Sequence, residues 1–401
     1  MNSSGSNISL KGRIGPGLLT CVVLIFTAAC SSPPQPAPEL RGIDGWINSR
    51  PLTLPELRGQ VVLIDFWTYS CVNCIRTFPY LRDWHDKYSD YGLVIIGVHT
   101  PEFEFEKGAG NVAAAAQTHG LEYPIAQDNN YATWNAYGNN AWPAKYLIDK
   151  DGKVRYYYLG EGAYEETEGI IRELLEETGI SLEHIDPNLD PGPPLDDGAY
   201  AADPGRRLTR ELYAGYNRNE TLPSSAFATL YGSTPAYIMH EEYYQQKDTD
   251  VFYRDPGEHL NHFIYLQGLW RNGPESVTHA RATEEFEDYV AIRFFATSVN
   301  AVMSTDGLQS QADAPSRPST SSGRTDVAVR VTLDGQPLAP NQAGPDVQFD
   351  GEGHSFVLVQ EPRLYRLVEL EKFASHDLQL RVNSPGLSLF TFTFGAYDEG
   401  P

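Results

Sequence analysis

An unbroken apolar stretch, QVVLIDFW at residues 60–67, runs almost directly into a close pair of cysteines, Cys71 and Cys74. A strand without polar alternation is buried on both faces, so the sheet that contains it needs helices packed on each side. Cys74 opens a segment, 74–91, with Phe78, Leu81 and Tyr88 among its apolar positions at helical spacing. A second buried strand follows at 93–98 (LVIIGV), then an alanine-rich, helix-like stretch at 103–119. Residues 146–159 read as a hairpin that turns at Asp151-Gly152, and 164–178 as an amphipathic helix. Strand, helix, strand, then hairpin and helix, predict an α/β sheet that is partly parallel.

The cysteine pair carries the chemistry. The chain has four cysteines, and two of them, Cys21 and Cys30, fall in an N-terminal segment. A C-x-x-C loop gains little stability from closure because it is so short, so the remaining pair reads as reactive rather than structural. Cys71 lies between a buried strand and the start of a helix, where unpaired N–H groups and the helix dipole stabilise a thiolate. It is expected to be the exposed attacking sulfur, with Cys74 the buried resolving one. Structural zinc normally takes four ligands. There is no second pair of cysteines, and His85, His99 and His119 are not spaced as ligands, so no metal is expected. Asp65, six residues before Cys71, puts a carboxylate inside the apolar strand. Burial raises such a pKa and suits the group to take the proton of Cys74. Pro79 interrupts the helix, and Trp142-Pro143 before a buried strand is a candidate cis peptide beside an extended substrate.

With these residues in view, residues 41–180 resemble the thioredoxin-like TlpA family, most closely its DipZ-like branch. DFWTYSCVNCIRTFPYL, GVHTPEFEFEK, YPIAQDNNYATWNAYGNNAWPAKYLID and GEGAYEETE carry the resemblance. It implies a thioredoxin-like fold and thiol–disulfide oxidoreductase activity on protein disulfides, with no cofactor beyond the dithiol. Cys71 would be the nucleophile, Cys74 the resolving thiol, Asp65 the proton acceptor and Pro143 the cis-proline, with Trp142 and Pro143 at the substrate. Ser70 and the dipeptide Val72-Asn73 depart from many thioredoxins, so the direction of exchange is not carried over. Reduction is expected, as in reductases that serve cytochrome maturation or damaged exported thiols. DipZ-like proteins also carry a β-sandwich similar to carbohydrate-binding modules, which matches the region after residue 205. The multi-span electron-transfer domain of full-length DipZ is expected to be replaced here by a single lipid anchor. Electrons would then come from a membrane donor of the CcdA/DsbD type.

The N-terminus supports export. Lys11 and Arg13, an apolar run at 18–26 and the small residues 27–29 precede Cys30, which looks like the lipidation site of a bacterial lipoprotein. Residues 1–29 read as a signal peptide, despite Thr27 where Leu is usual, and 30–40 as a proline-rich tether. The expected location is therefore extracytoplasmic or periplasmic and membrane-anchored.

Residues 181–205 are rich in proline, glycine and aspartate and read as a linker. From 206 to 401 short alternating segments (291–295, 327–333, 355–359, 365–370, 378–382 and 389–394) predict a mostly-β sandwich of jelly-roll type. A low-complexity loop occupies 304–325. Tyr213, Tyr216, Tyr231, Tyr237, Tyr243, Tyr244, Tyr253, Tyr265 and Trp270 form either a core or a platform for glycan, and His259 and His262 a partly buried pair. The net charge of −23 argues against nucleic acid as a partner. Thr68, three residues before Cys71, raises thiol peroxidase activity as an alternative, although Ile64 stands where such sites carry proline.

Overall fold

The computed structural model describes residues 35–187, 207–219, 236–305 and 326–395. Cys30, the signal segment 1–29, Tyr231, residues 188–205 and most of the 304–325 loop lie outside these. Among the described residues no helix is long and apolar enough to cross a membrane.

In the first domain, β1 (Gly45–Ile47), β2 (Val61–Trp67), β3 (Leu93–His99), β4 (Ile125–Gln127), β5 (Ala144–Ile148) and β6 (Val154–Leu159) form one sheet of order β1-β4-β3-β2-β5-β6. β2, β3 and β4 run parallel, and β5 and β6 add antiparallel edges. Every residue of β2 is buried, as its unbroken apolarity requires. Alternate positions serve two cores. Val61, Leu63 and Trp67 pack under α1 (Val72–Tyr88), α2 (Ala109–Thr118) and α4 (Tyr164–Glu176). Val62, Ile64 and Phe66 pack on the other face with Leu54 and with Trp134 of α3 (Ala132–Ala136). Gly97 on β3 leaves room for the Trp67 indole, since a Cβ there would lie 2.8 Å from Nε1. α1 continues through Pro79 to Tyr88. The 103–119 stretch divides at Gly108 into a short 3₁₀ turn and α2.

Residues 181–187 correct the expected linker boundary. Leu182 is fully buried in the first core, and Arg172 of α4 donates to the carbonyls of Leu182 and Ile185.

The second domain is strand-rich, as its alternating segments predict. Its strands form one antiparallel path of barrel-like arrangement rather than two separated sheets. β11 (Asp288–Ser304) and β16 (Arg363–Val382) run side by side at its centre, with β17 (Ser388–Gly395) on the other edge of β11. β12 (Val327–Leu333) pairs with β16, with β15 (Ser355–Val359) and with the short β13 (Gln336–Pro337), and β14 (Gln348–Phe349) lies beyond β15. Beyond β17 come β10 (Val277–His279), β9 (Phe263–Asn272) and β8 (Asp250–Tyr253). Asn261, just before β9, bridges back to Arg293 on β11, which folds the sheet over a single core. The short β7 (Leu212–Tyr213) pairs with β17.

Candidate active site

Cys71 is the N-cap of α1. Its sulfur accepts a hydrogen bond from the Cys74 backbone N–H at 3.3 Å, one of the donors that a helix start leaves unpaired. Both cysteines are free thiols, Cys71 half-buried and Cys74 fully buried. Burial pushes the Cys74 thiol well up, and the hydrogen bond and charge of Cys71 and the charge of Asp65 add to it. One sulfur is thus presented and the other is held in reserve as a thiol.

β5 brings the third element alongside. The Trp142–Pro143 peptide is cis, and the Cys71 thiol points at the Trp142 carbonyl, 4.0 Å away. The Trp142 indole donates to the Thr100 carbonyl at 2.9 Å and packs on Trp134, which fixes this loop beside the sulfur.

Beneath the dithiol, Asp65 is fully buried on the Cys74 side of β2. Burial raises its carboxyl to about 7, with Lys145 opposing the rise. Lys145 is the cross-strand partner of Asp65 on β5 and is also fully buried. Its ammonium sits 5.3 Å from the centres of the Tyr158 and Tyr164 rings. Burial lowers the Lys145 pKa, against the pull of Asp65, Cys74 and Glu161. Neither carboxylate oxygen of Asp65 nor Nζ of Lys145 has a hydrogen-bond partner among the described residues. Sequence reasoning missed Lys145. Its signal was as plain as that of Asp65, a charged residue inside the apolar strand AKYLI.

Glu106 was missed too. One oxygen of this fully buried carboxylate accepts from Ser70 N at 3.3 Å and Ser70 Oγ at 2.5 Å. The other accepts from the backbone N–H groups of Glu102 and Phe103. Burial raises the Glu106 carboxyl to about 7, the Ser70 bond opposes this, and Glu102 adds to it. The side chain ties the 101–106 loop to Ser70, the residue before Cys71. Glu106→Ala would strand several buried N–H donors at about 1–3 kcal/mol each. It is expected to lower stability by a few kcal/mol and to slow Cys71 alkylation by iodoacetamide as the loop loosens. Denaturant titration and alkylation kinetics check the two effects.

The three histidines of the first domain that the spacing set aside as ligands each pack against a different aromatic partner. His99 lies against Trp67 and Tyr69, His119 against Phe78 and His85 against Tyr123. In the second domain His259 sits between Asp255 and Asp377, at 2.9 Å from each, whereas His262 bonds Thr209, so they are not a pair. Tyr243, Tyr253, Tyr265 and Trp270 are buried, and Tyr213, Tyr216, Tyr237 and Tyr244 are partly so. The four buried rings serve the core rather than an open glycan platform.

Two families match this chain, the AhpC/TSA family over residues 33–157 and the family described as Thioredoxin like C-terminal domain over 228–395. Protein DipZ of Mycobacterium tuberculosis is 35% identical over 363 residues, which cover 90% of this chain and 43% of DipZ. The chain therefore spans less than half the length of that relative. Thiol-disulfide oxidoreductase YkuV of Bacillus subtilis is 34% identical over 36% of this chain and 97% of its own length. Thiol-disulfide oxidoreductase ResA of Bacillus thuringiensis is 30% identical over 32% of this chain and 71% of its own. With its dithiol at the head of α1, and with YkuV and ResA matched over most of their own length, the chain belongs to the thioredoxin-like thiol–disulfide oxidoreductases of the TlpA/DipZ-like family.

Proposed function

We propose that the protein reduces protein disulfides outside the cytoplasm, through dithiol–disulfide exchange at Cys71 and Cys74. The observation that carries the reading is the asymmetry of the pair, one sulfur presented at a helix N-terminus and the other buried beside a carboxyl that titrates near neutrality. The Cys71 thiolate attacks one sulfur of a substrate disulfide, and a mixed disulfide forms as the other sulfur leaves as a thiolate. Cys74 passes its proton to Asp65 and attacks the Cys71 sulfur. The second substrate thiolate leaves, and Cys71–Cys74 closes as a disulfide. Asp65 returns the Cys74 proton to the thiolate that leaves second, and the first takes its proton from solvent. Two electrons have then passed to the substrate, so an external dithiol donor must restore the pair.

A membrane donor of the CcdA/DsbD type, export by residues 1–29 and lipidation at Cys30 belong to the same proposal and rest on the sequence. The peroxidase alternative places the Thr68 hydroxyl at the nucleophile. That hydroxyl is fully buried and 3.4 Å from His99 Nε2, which favours exchange.

The reduction potential of the Cys71–Cys74 pair tests the direction. A value near about −270 mV is expected, and one near about −120 mV would make the protein a disulfide donor instead.

A further inference from the structure

The two domains meet beside the dithiol, and the contact decides what can reach it. Val72, the residue after the nucleophile, is 4% exposed because it packs with Phe103 against Val302, Leu364 and Phe390 of the second domain. Phe390 lies edge-on to Phe103 and Phe105, with ring centres 5.1 and 4.8 Å apart. A polar clasp flanks this patch, where Glu102 accepts from the Tyr213 hydroxyl at 2.8 Å and from Arg218 at 3.0 Å. One side of the Cys71 loop is therefore covered by the chain's own second domain. On the other side is a cleft of about 550 Å³, with Cys71, Asn73 and Trp142 on one wall and Arg210, Tyr213 and Phe394 on the opposite one.

We propose that this two-domain cleft is the substrate site, and that it takes a disulfide carried on an extended polypeptide segment rather than one set in the surface of a compact protein. The inference rests on the exchange reaction proposed above. In the mixed disulfide a substrate sulfur must come within about 2.05 Å of Cys71 Sγ, so the substrate backbone has to enter the cleft and touch the second domain. A globular partner docks through about 800 Å² of each surface, and here Val72 and its surroundings, part of any such surface, are already covered. The cleft has the size of a small-ligand site, roughly 300–1,000 Å³. An extended strand, advancing about 3.3 Å per residue, can thread it with a few residues at a time. Its ion pairs, Arg76 with Glu161 at 3.6 Å within the first domain and Arg218 with Glu102 at 3.0 Å between the domains, pair opposite charges along its lining. Such walls do not select a strongly charged segment.

The test compares two disulfides of matched reduction potential, offered to the reduced full chain. One joins the central cysteine of a ten-residue linear peptide to a free cysteine, and the other joins adjacent strands on the surface of a folded β-barrel. The peptide is expected to react at least tenfold faster. Leu208→Trp, which narrows the cleft from the second domain, is expected to lower the ratio of the peptide rate to the rate with a small aromatic disulfide about tenfold. Asn140→Trp on the opposite wall, at an exposed position, repeats the measurement where folding is not at stake. Equal rates for peptide and barrel, or an unchanged ratio in both variants, would overturn the cleft proposal while leaving the exchange reaction intact. Failure of the unmodified protein to reduce any of the three disulfides would overturn both.

Discussion

Cys71→Ser is expected to leave a peptide disulfide untouched, with turnover lowered by roughly 10³-fold or more, whereas Cys74→Ser is expected to react once and stop. The difference follows from position. Cys71 caps α1 and lines the cleft, with a backbone N–H aimed at its sulfur. Cys74 is fully buried, and its thiol is pushed up by burial first and by Cys71 and Asp65 next. It cannot replace the missing nucleophile, because a substrate disulfide has no path to it and little of it is ionised. With Cys74 replaced, Cys71 still attacks, but nothing releases the mixed disulfide. A species with one substrate per protein should accumulate, visible on a non-reducing gel and by intact mass. Trapping by Cys71→Ser and turnover by Cys74→Ser would reverse the two roles.

The parts of the fold that were legible in the sequence are those whose burial is uniform or strictly alternating. β2 and β3 declare themselves as apolar runs because both faces of the central sheet are covered. β12 and β15 alternate cleanly and were read at their observed bounds. β1 and β4, three residues each, and α3, five residues, are too short for a period to show. β16 read as two segments, 365–370 and 378–382, because its middle is not apolar. The pairing shows why. Ala296 faces Ala374 while Ser298 faces Glu369, so the chain bulges between and only β11 keeps it one strand. The site divides the same way. Asp65 stood out as a carboxylate in an apolar run. Glu102 and Glu106 lie in PEFEFEK, which looks like solvated loop until Ser70, Tyr213 and Arg218 supply their partners. Those contacts join residues more than thirty positions apart, and local pattern does not carry them.

Asp65→Asn is expected to slow closure of the Cys71–Cys74 disulfide by roughly 10²-fold near pH 7, the scale of a lost general base. The same variant should be more stable than the parent at pH 8. The carboxyl is raised by burial from 3.8 to about 7, with Lys145 opposing. Between those two values the folded chain keeps a proton that the unfolded chain has lost, so stability falls as pH rises through the window. At pH 8 the parent bears the whole cost of a buried carboxylate, of order 4 kcal/mol, and asparagine does not. Below about pH 4 both forms of the parent are protonated and the difference should vanish. Denaturant titrations at pH 4, 6 and 8 measure it, and equal stability at pH 8 would remove Asp65 as the buried acid. Closure of the disulfide in the parent should accelerate as pH rises through about 7, where Asp65 becomes able to accept the Cys74 proton. Lys145→Met separates this role from simple packing. It removes the cation that opposes the rise, so the inflection should move to higher pH, and Lys145→Arg should hold it near the parent value. If Lys145 only filled space among Tyr158 and Tyr164, methionine would leave the inflection where it was, because no charge would be acting on Asp65.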